Sequence, residues 1–161
     1  MLQINPDRPL SPILIALIRT LDQVAKRAGV PYFIIGATAR DILMEHVYAL
    51  ETTRATRDID FAVAVPSWNV FGKLKQRLIA TVEFLPGEAA QRLICGDGTA
   101  AYPLDLAPFD GVEQYGEIAW PPDGDFVMNI AGYGDALASA LPVEIAPGFV
   151  IPSRSSPCLP W

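Results

Sequence analysis

The sequence holds one histidine and two cysteines in 161 residues, and charged side chains make up only 19% of it. A lone His46 has no second ring to complete a metal site or a catalytic relay, so a packed or solvated role is expected. Cys95 and Cys158 lie far apart without ligand spacing. That excludes a disulfide scaffold and a cysteine zinc site, and it fits a reducing, cytoplasmic setting. Lysine is scarce, occurring only as Lys26, Lys73 and Lys75, and 12 basic against 18 acidic residues give a net charge of -6. Such a surface does not hold nucleic acid by indiscriminate phosphate neutralisation; a local basic patch or a bound cation would be needed. Long apolar runs are also missing: residues 10–30 are interrupted by Arg19, Asp22, Lys26 and Arg27, so no membrane span is expected. The N-terminus shows no basic stretch ahead of an apolar one, and no secretory signal is read there.

What is present is apolar side chain, 51% of the residues, enough for a sizeable core in about one domain and too much for a disordered chain. Residues 10–29 carry apolar side chains at i, i+3, i+4 and i+7, which predicts an amphipathic helix starting near Ser11-Pro12 and stopping at Gly29. Residues 31–35 read as a buried strand, residues 38–50 return to helical spacing, and residues 58–65 alternate as a second strand closed by Pro66. A helix capped by Ser67 follows from Trp68 to Ile79. Short strand-like pieces at 81–85, 91–95, 102–107 and 126–131 are separated by Gly/Pro turns, with a helix at 133–141 and strands at 143–146 and 149–151. This order predicts an α/β (α+β) fold with a small mixed β-sheet flanked by helices. One domain over residues 1–151 is expected, followed by a Pro/Ser-rich tail, 152–161.

Chemistry concentrates where charge interrupts this apolar pattern. Asp58 and Asp60 lie at i and i+2 of a strand and project to one face. Two adjacent carboxylates on a core strand repel unless a cation lies between them, which suits a hard ion such as magnesium. The bland alternative is an exposed strand start beside Arg57. Against it, residues 59–65 hold no charge other than Asp60. Asp105, inside the apolar run 102–109, reads equally as a turn residue ahead of Pro108 or as a third carboxylate. Three carboxylates on neighbouring strands are what a two-metal phosphoryl-transfer site needs. The turn Gly36-Ala37-Thr38 ends a strand and opens a helix, which would aim free backbone N–H groups at a phosphate, although a plain tight turn explains it too. Arg40 either meets such a phosphate or pairs with Asp41 or Glu45.

Gly36-Ala37-x-Ala39-Arg40-Asp41, then Asp58-Ile59-Asp60, then Asp105 on a later apolar strand: this combination resembles the nucleotidyltransferase superfamily of the DNA polymerase beta type. The turn with Asp-Ile-Asp is similar to that of CCA-adding tRNA nucleotidyltransferases. The wider sequence resembles bacterial AbiEii-like nucleotidyltransferases, toxin components of toxin–antitoxin systems, through residues 54–63, the Trp68 helix, 105–109 and 118–123. The resemblance implies a nucleotidyltransferase-like fold and Mg2+- (or Mn2+-) dependent transfer of a nucleoside monophosphate from an NTP to an acceptor hydroxyl, with release of pyrophosphate. It further implies metal ligation by Asp58, Asp60 and Asp105, help from Asp105 in deprotonating the acceptor, triphosphate contacts from Gly36, Ala37 and Thr38, and charge compensation by Arg40 or Arg57. RNA, often tRNA, is the first acceptor implied, with a small-molecule acceptor, as in antibiotic-adenylylating relatives, left open beside it, and an antitoxin or other partner chain is implied as well. The family usually has Gly-Gly or Gly-Ser where this chain has Gly36-Ala37, and a Cβ at 37 is expected to narrow the backbone there. The family also continues into a helical C-terminal region where this chain turns to proline and serine. A non-catalytic nucleotide- or partner-binding module is the competing reading. Lys73, Lys75 and Arg77 form the one basic cluster large enough for an acceptor-RNA contact, although a solvated helix face explains it too, and Asp123 is a candidate accessory group in a proline-directed turn.

Overall fold

The computed structural model describes residues 1–51, 58–81, 83–95 and 102–154. Strand β1 (Leu2–Gln3) precedes helix α1 (Pro12–Ala28). Ser11 caps α1, its side chain accepting the Leu14 amide, and Gly29 stops it in the left-handed conformation at φ 67°. Strand β2 (Tyr32–Ile35) runs directly into helix α2 (Gly36–Asp41), which continues as a π-helical turn over Ile42–Val47. Strand β3 (Ile59–Val65) leads to helix α3 (Trp68–Ala80), capped by Ser67 as the sequence suggests. Strands β4 (Phe84–Pro86), β5 (Arg92–Cys95) and β6 (Tyr102–Asp110) follow, then a hairpin of β7 (Glu117–Ala119) and β8 (Val127–Asn129). Helix α4 (Tyr133–Ala138) and strands β9 (Leu141–Ala146) and β10 (Phe149–Ser153) complete the described chain.

One mixed sheet has the order β1-β9-β10-β2-β3-β6-β5-β4. β3 and β6 are parallel, and each has an antiparallel neighbour on its outer side, β2 and β5 respectively. Helices flank the sheet, so the architecture is the mixed α/β one expected from the element order. Pairing and alternation assign the two faces. Tyr32, Ile34, Phe61 and Val63 share one face, where the Tyr32 and Phe61 rings are 5.6 Å apart and the Tyr32 hydroxyl donates to Asp22 of α1. Phe33, Ala62, Ala107 and Phe109 share the other, where Tyr133 of α4 packs edge-on against both phenylalanines at 6.1 and 5.8 Å. The core fills both faces: Phe33, Ile34, Ala62, Val63 and Leu106 are fully buried.

Several boundaries differ from the sequence reading. The second helix ends at Val47 instead of residue 50, because Ala49 turns to φ 57°. β6 runs on to Asp110, since Pro108 points its missing N–H where no ladder bond is required. β10 includes Pro152 and Ser153, assigned by composition to the tail, and Ser153 is buried. The remainder of that tail, residues 155–161, lies outside the described residues. Among the described residues no helix is long and apolar enough to cross a membrane.

Candidate functional site

Strand register builds the site. Ile35 of β2 pairs with Asp60 of β3, Asp60 pairs with Asp105 of β6, and Asp105 pairs with Arg92 of β5. Laterally paired residues point to the same face of a sheet, so two carboxylates and a guanidinium form one transverse row across three adjacent strands. The row lies on the α4 face, two residues along from the row of Phe33, Ala62 and Ala107. Asp58, one residue ahead of β3, is half-buried and adds its charge to the same cluster, since Asp60 responds to it electrostatically.

Asp60 is the strained member. Burial pushes its carboxyl up from 3.8 to about 6, the neighbouring Asp105 and Asp58 charges push in the same direction, and Arg92 opposes them. Asp105 has a dedicated partner: Arg92 Nε donates to its Oδ1 at 2.8 Å and Nη2 to its Oδ2 at 2.9 Å. This planar, bidentate fork is the strongest common ion-pair geometry. The carboxylate raises the already high Arg92 pKa further, and Asp58 and Asp60 act on it as well. One guanidinium therefore serves as counter-cation to three carboxylates.

Gly36 stands against Asp60. It has φ 73°, and a Cβ there would sit 2.5 Å from Asp60 Oδ2. Only glycine satisfies both the left-handed backbone and the close approach. Ala37, by contrast, is not among the residues with positive φ, so its methyl imposes none of the backbone restriction expected of it. The Thr38 side chain is buried and its hydroxyl donates to the Asp58 carbonyl at 2.6 Å, tying the start of α2 to the start of β3. The Thr38 hydroxyl is thus committed to structure, which leaves its amide for any ligand. Arg40 is half-exposed and pairs with Asp41 at 3.4 Å, the surface alternative of the two that the sequence left open. Arg57 lies outside the described residues, as do the other residues of the segment 54–63 that precede Asp58.

Other singled-out residues take structural roles. His46 Nδ1 lies 2.8 Å from the Arg8 carbonyl. Cys95 is buried, its thiol pushed up to about 11 by desolvation, which removes it as a nucleophile. In the basic cluster, Lys75 donates to the Ala90 carbonyl and lies over the Phe71 ring, while Lys73 and Arg77 are exposed. Asp123 caps its own turn, accepting the Asp125 amide. The sequence reading missed Arg92 and Tyr133. Tyr133 is buried beside the acidic row, its hydroxyl held above its ordinary pKa by desolvation first and by Asp60 second. No sequence signal marks Arg92; in the structure Gly87 lies against it, and a Cβ at 87 would collide with the Arg92 stem and carbonyl, so the glycine keeps the turn tight over that side chain.

The donor set suits a hard cation, being all carboxylate oxygen, and a dication beside Asp60 would favour its ionised form against burial and the neighbouring carboxylates. Asp58, Asp60 and Asp105 therefore fit Mg2+ or Mn2+ in chemistry. Among the described residues no three histidine, cysteine or acidic side chains converge into a metal cage, and Asp105 spends both oxygens on Arg92.

No known family's sequence profile and no curated protein sequence matches the chain. Its fold is similar to solved structures of nucleotidyltransferases. The antibiotic-resistance factor ANT(2'')-Ia is 20% identical, with a TM-score of 0.46 over 90% of this chain and 65% of its own. The lincosamide antibiotic adenylyltransferase LnuA, bound to lincomycin, is 18% identical at 0.48, over 87% of this chain and 79% of its own. The CCA-adding enzyme with CTP is 20% identical at 0.41, over 63% of this chain. The chain thus spans 65% of the length of ANT(2'')-Ia and 22% of that of the CCA-adding enzyme.

Proposed function

We propose that the chain is a magnesium-dependent nucleotidyltransferase of the DNA polymerase beta type that moves a nucleoside monophosphate from an NTP to an acceptor hydroxyl. The observation that carries this is the in-register placement of Asp60 and Asp105 on parallel strands, with Asp58 beside them and Gly36 in van der Waals reach of Asp60. The sequence motifs give the same three carboxylates and the same glycine turn. Asp58, Asp60 and Asp105 would hold Mg2+ or Mn2+, which when bound neutralises charge on the triphosphate and lowers the pKa of an attached hydroxyl.

The chain's own groups supply the rest. The amides of Gly36, Ala37 and Thr38 receive phosphate oxygens at the start of α2, where no side chain blocks the approach at 36. Asp105 accepts the proton of the acceptor hydroxyl. The acceptor oxygen bonds to the α-phosphorus as the bond to the bridging oxygen breaks, and pyrophosphate leaves. Arg57, Arg40 and Arg92 are the cations near enough in sequence or space to offset phosphate charge. RNA, with tRNA first, is the proposed acceptor, and a cytoplasmic toxin of the AbiEii-like kind with an antitoxin partner chain is the proposed setting.

Pyrophosphate release from each of the four NTPs with Mg2+ or Mn2+, with and without total tRNA, tests the proposal. Release that needs RNA and vanishes in an Asp58→Asn/Asp60→Asn variant is the expected result. Release with a small hydroxylated acceptor instead of RNA would move the acceptor class. No release from folded protein with any NTP or acceptor would favour the competing reading, a nucleotide- or partner-binding module, which the Arg92 lock on Asp105 already suits.

A further inference from the structure

We propose that Arg92 closes the acidic site: its guanidinium occupies Asp105 in place of a divalent cation, and metal entry requires that ion pair to open. This rests on the nucleotidyltransferase reading for the identity of the site. Both Asp105 oxygens are taken, at 2.8 and 2.9 Å, and a carboxylate so engaged has its best lone pairs directed at the fork. The side chains of Arg92 and Asp105 are 36% and 25% exposed, so the pair sits at the mouth of the site, where the guanidinium has solvent to move into. Its backbone does not move with it: the Arg92 amide donates to Ala89 and its carbonyl accepts from Gly87. The strand thus stays fixed while the side chain opens.

Competition and assistance predict opposite signs. If Arg92 merely oriented Asp105 for metal, its loss would weaken cation binding; if it competes, its loss strengthens it. The probe is Mn2+ alone, titrated into the full chain without nucleotide, with free Mn2+ read by its electron paramagnetic resonance signal. Arg92→Gln is expected to bind Mn2+ about tenfold more tightly than the unaltered chain, as removal of a neighbouring positive charge should allow. Arg92→Lys, which keeps the charge but loses the fork, is expected to fall between them. In an Asp105→Asn background the Arg92→Gln gain should vanish, which separates competition at Asp105 from a general change in surface charge. Thermal unfolding of each variant verifies that the fold is retained. Unchanged or weaker Mn2+ binding in Arg92→Gln, a gain that persists with Asp105→Asn, or no Mn2+ binding by any folded variant would overturn the proposal. Pyrophosphate release by the unaltered chain is scored separately, so failure of the lock and failure of the catalytic reading give different results.

Discussion

A carboxyl group buried beside other carboxylates is a cost that the fold carries, and Asp60 is such a group. With its carboxyl at about 6 against an ordinary 3.8, the folded chain binds more protons than the unfolded one between those values. Stability of the metal-free protein should therefore fall as pH rises from about 4 to about 6 and then level off. Asp60→Asn removes the charge without changing the shape. It is expected to raise the Tm of the metal-free protein at neutral pH by a few degrees, to flatten that pH slope, and to lower pyrophosphate release at least about 100-fold. A lower Tm in this variant would show that the ionised carboxylate is stabilising where it sits. On the opposite face, Asp22 is buried by a different means, between the Tyr32 hydroxyl at 2.7 Å and Lys26 at 3.0 Å. Tyr32→Phe strands one lone pair of that carboxylate and should cost about 1–3 kcal/mol in urea unfolding. Pyrophosphate release should survive it, since Tyr32 faces away from the acidic row.

At the scale of elements, the β2–α2 turn decides whether the site exists at all. Gly36→Ala adds a methyl against Asp60 at a left-handed backbone, and about 1–3 kcal/mol of destabilisation is expected together with loss of pyrophosphate release. Ala37→Gly is the informative control. Ala37 stands where the nucleotidyltransferases that the sequence resembles usually have a second glycine or a serine, but the backbone at 37 needs no glycine, so release should be unchanged. A large gain from Ala37→Gly would return the handicap to that methyl. The two residues illustrate what sequence makes legible. Asp60 and Asp105 stand out because each interrupts an apolar strand, Asp58 because it stands two residues before Asp60 at the head of one, and the helices at α1 and α3 stand out by period and by their serine caps. Arg92 does not stand out: an arginine opening a short strand after a glycine turn looks like an exposed edge. Its role arises only from register, which sets it opposite Asp105, and register is a tertiary property. Tyr133 is hidden for the same reason, being one helix start among several until α4 packs it onto Phe33 and Phe109. β1 escapes because two residues carry no periodicity.

The whole molecule sets how an acidic chain would hold an acidic acceptor. Of its 12 basic residues, several are already engaged within the fold: Lys26 with Asp22, Arg40 with Asp41, Arg92 with Asp105, Lys75 with the Ala90 carbonyl, and Arg19 over the Phe149 ring. Seven others are left to replace counterions along an RNA backbone, those at 54 and 57 outside the described residues, and the net charge of -6 opposes approach from a distance. Recognition of an RNA acceptor must then come from a short contact close to the site, not from a broad electrostatic footprint. The salt dependence of RNA binding measures this directly. Between 50 and 200 mM salt, fluorescence anisotropy with labelled tRNA should give a slope of log K against log salt of about -2, corresponding to two or three phosphates neutralised. A slope of about -6 or steeper would require a basic surface that the described residues do not present, and it would point to a contribution from a partner chain or from the arginines at 54 and 57. A shallow slope with weak affinity would instead locate specificity in the acceptor's end and in the nucleotide, where the row of Asp60, Asp105 and Arg92 lies.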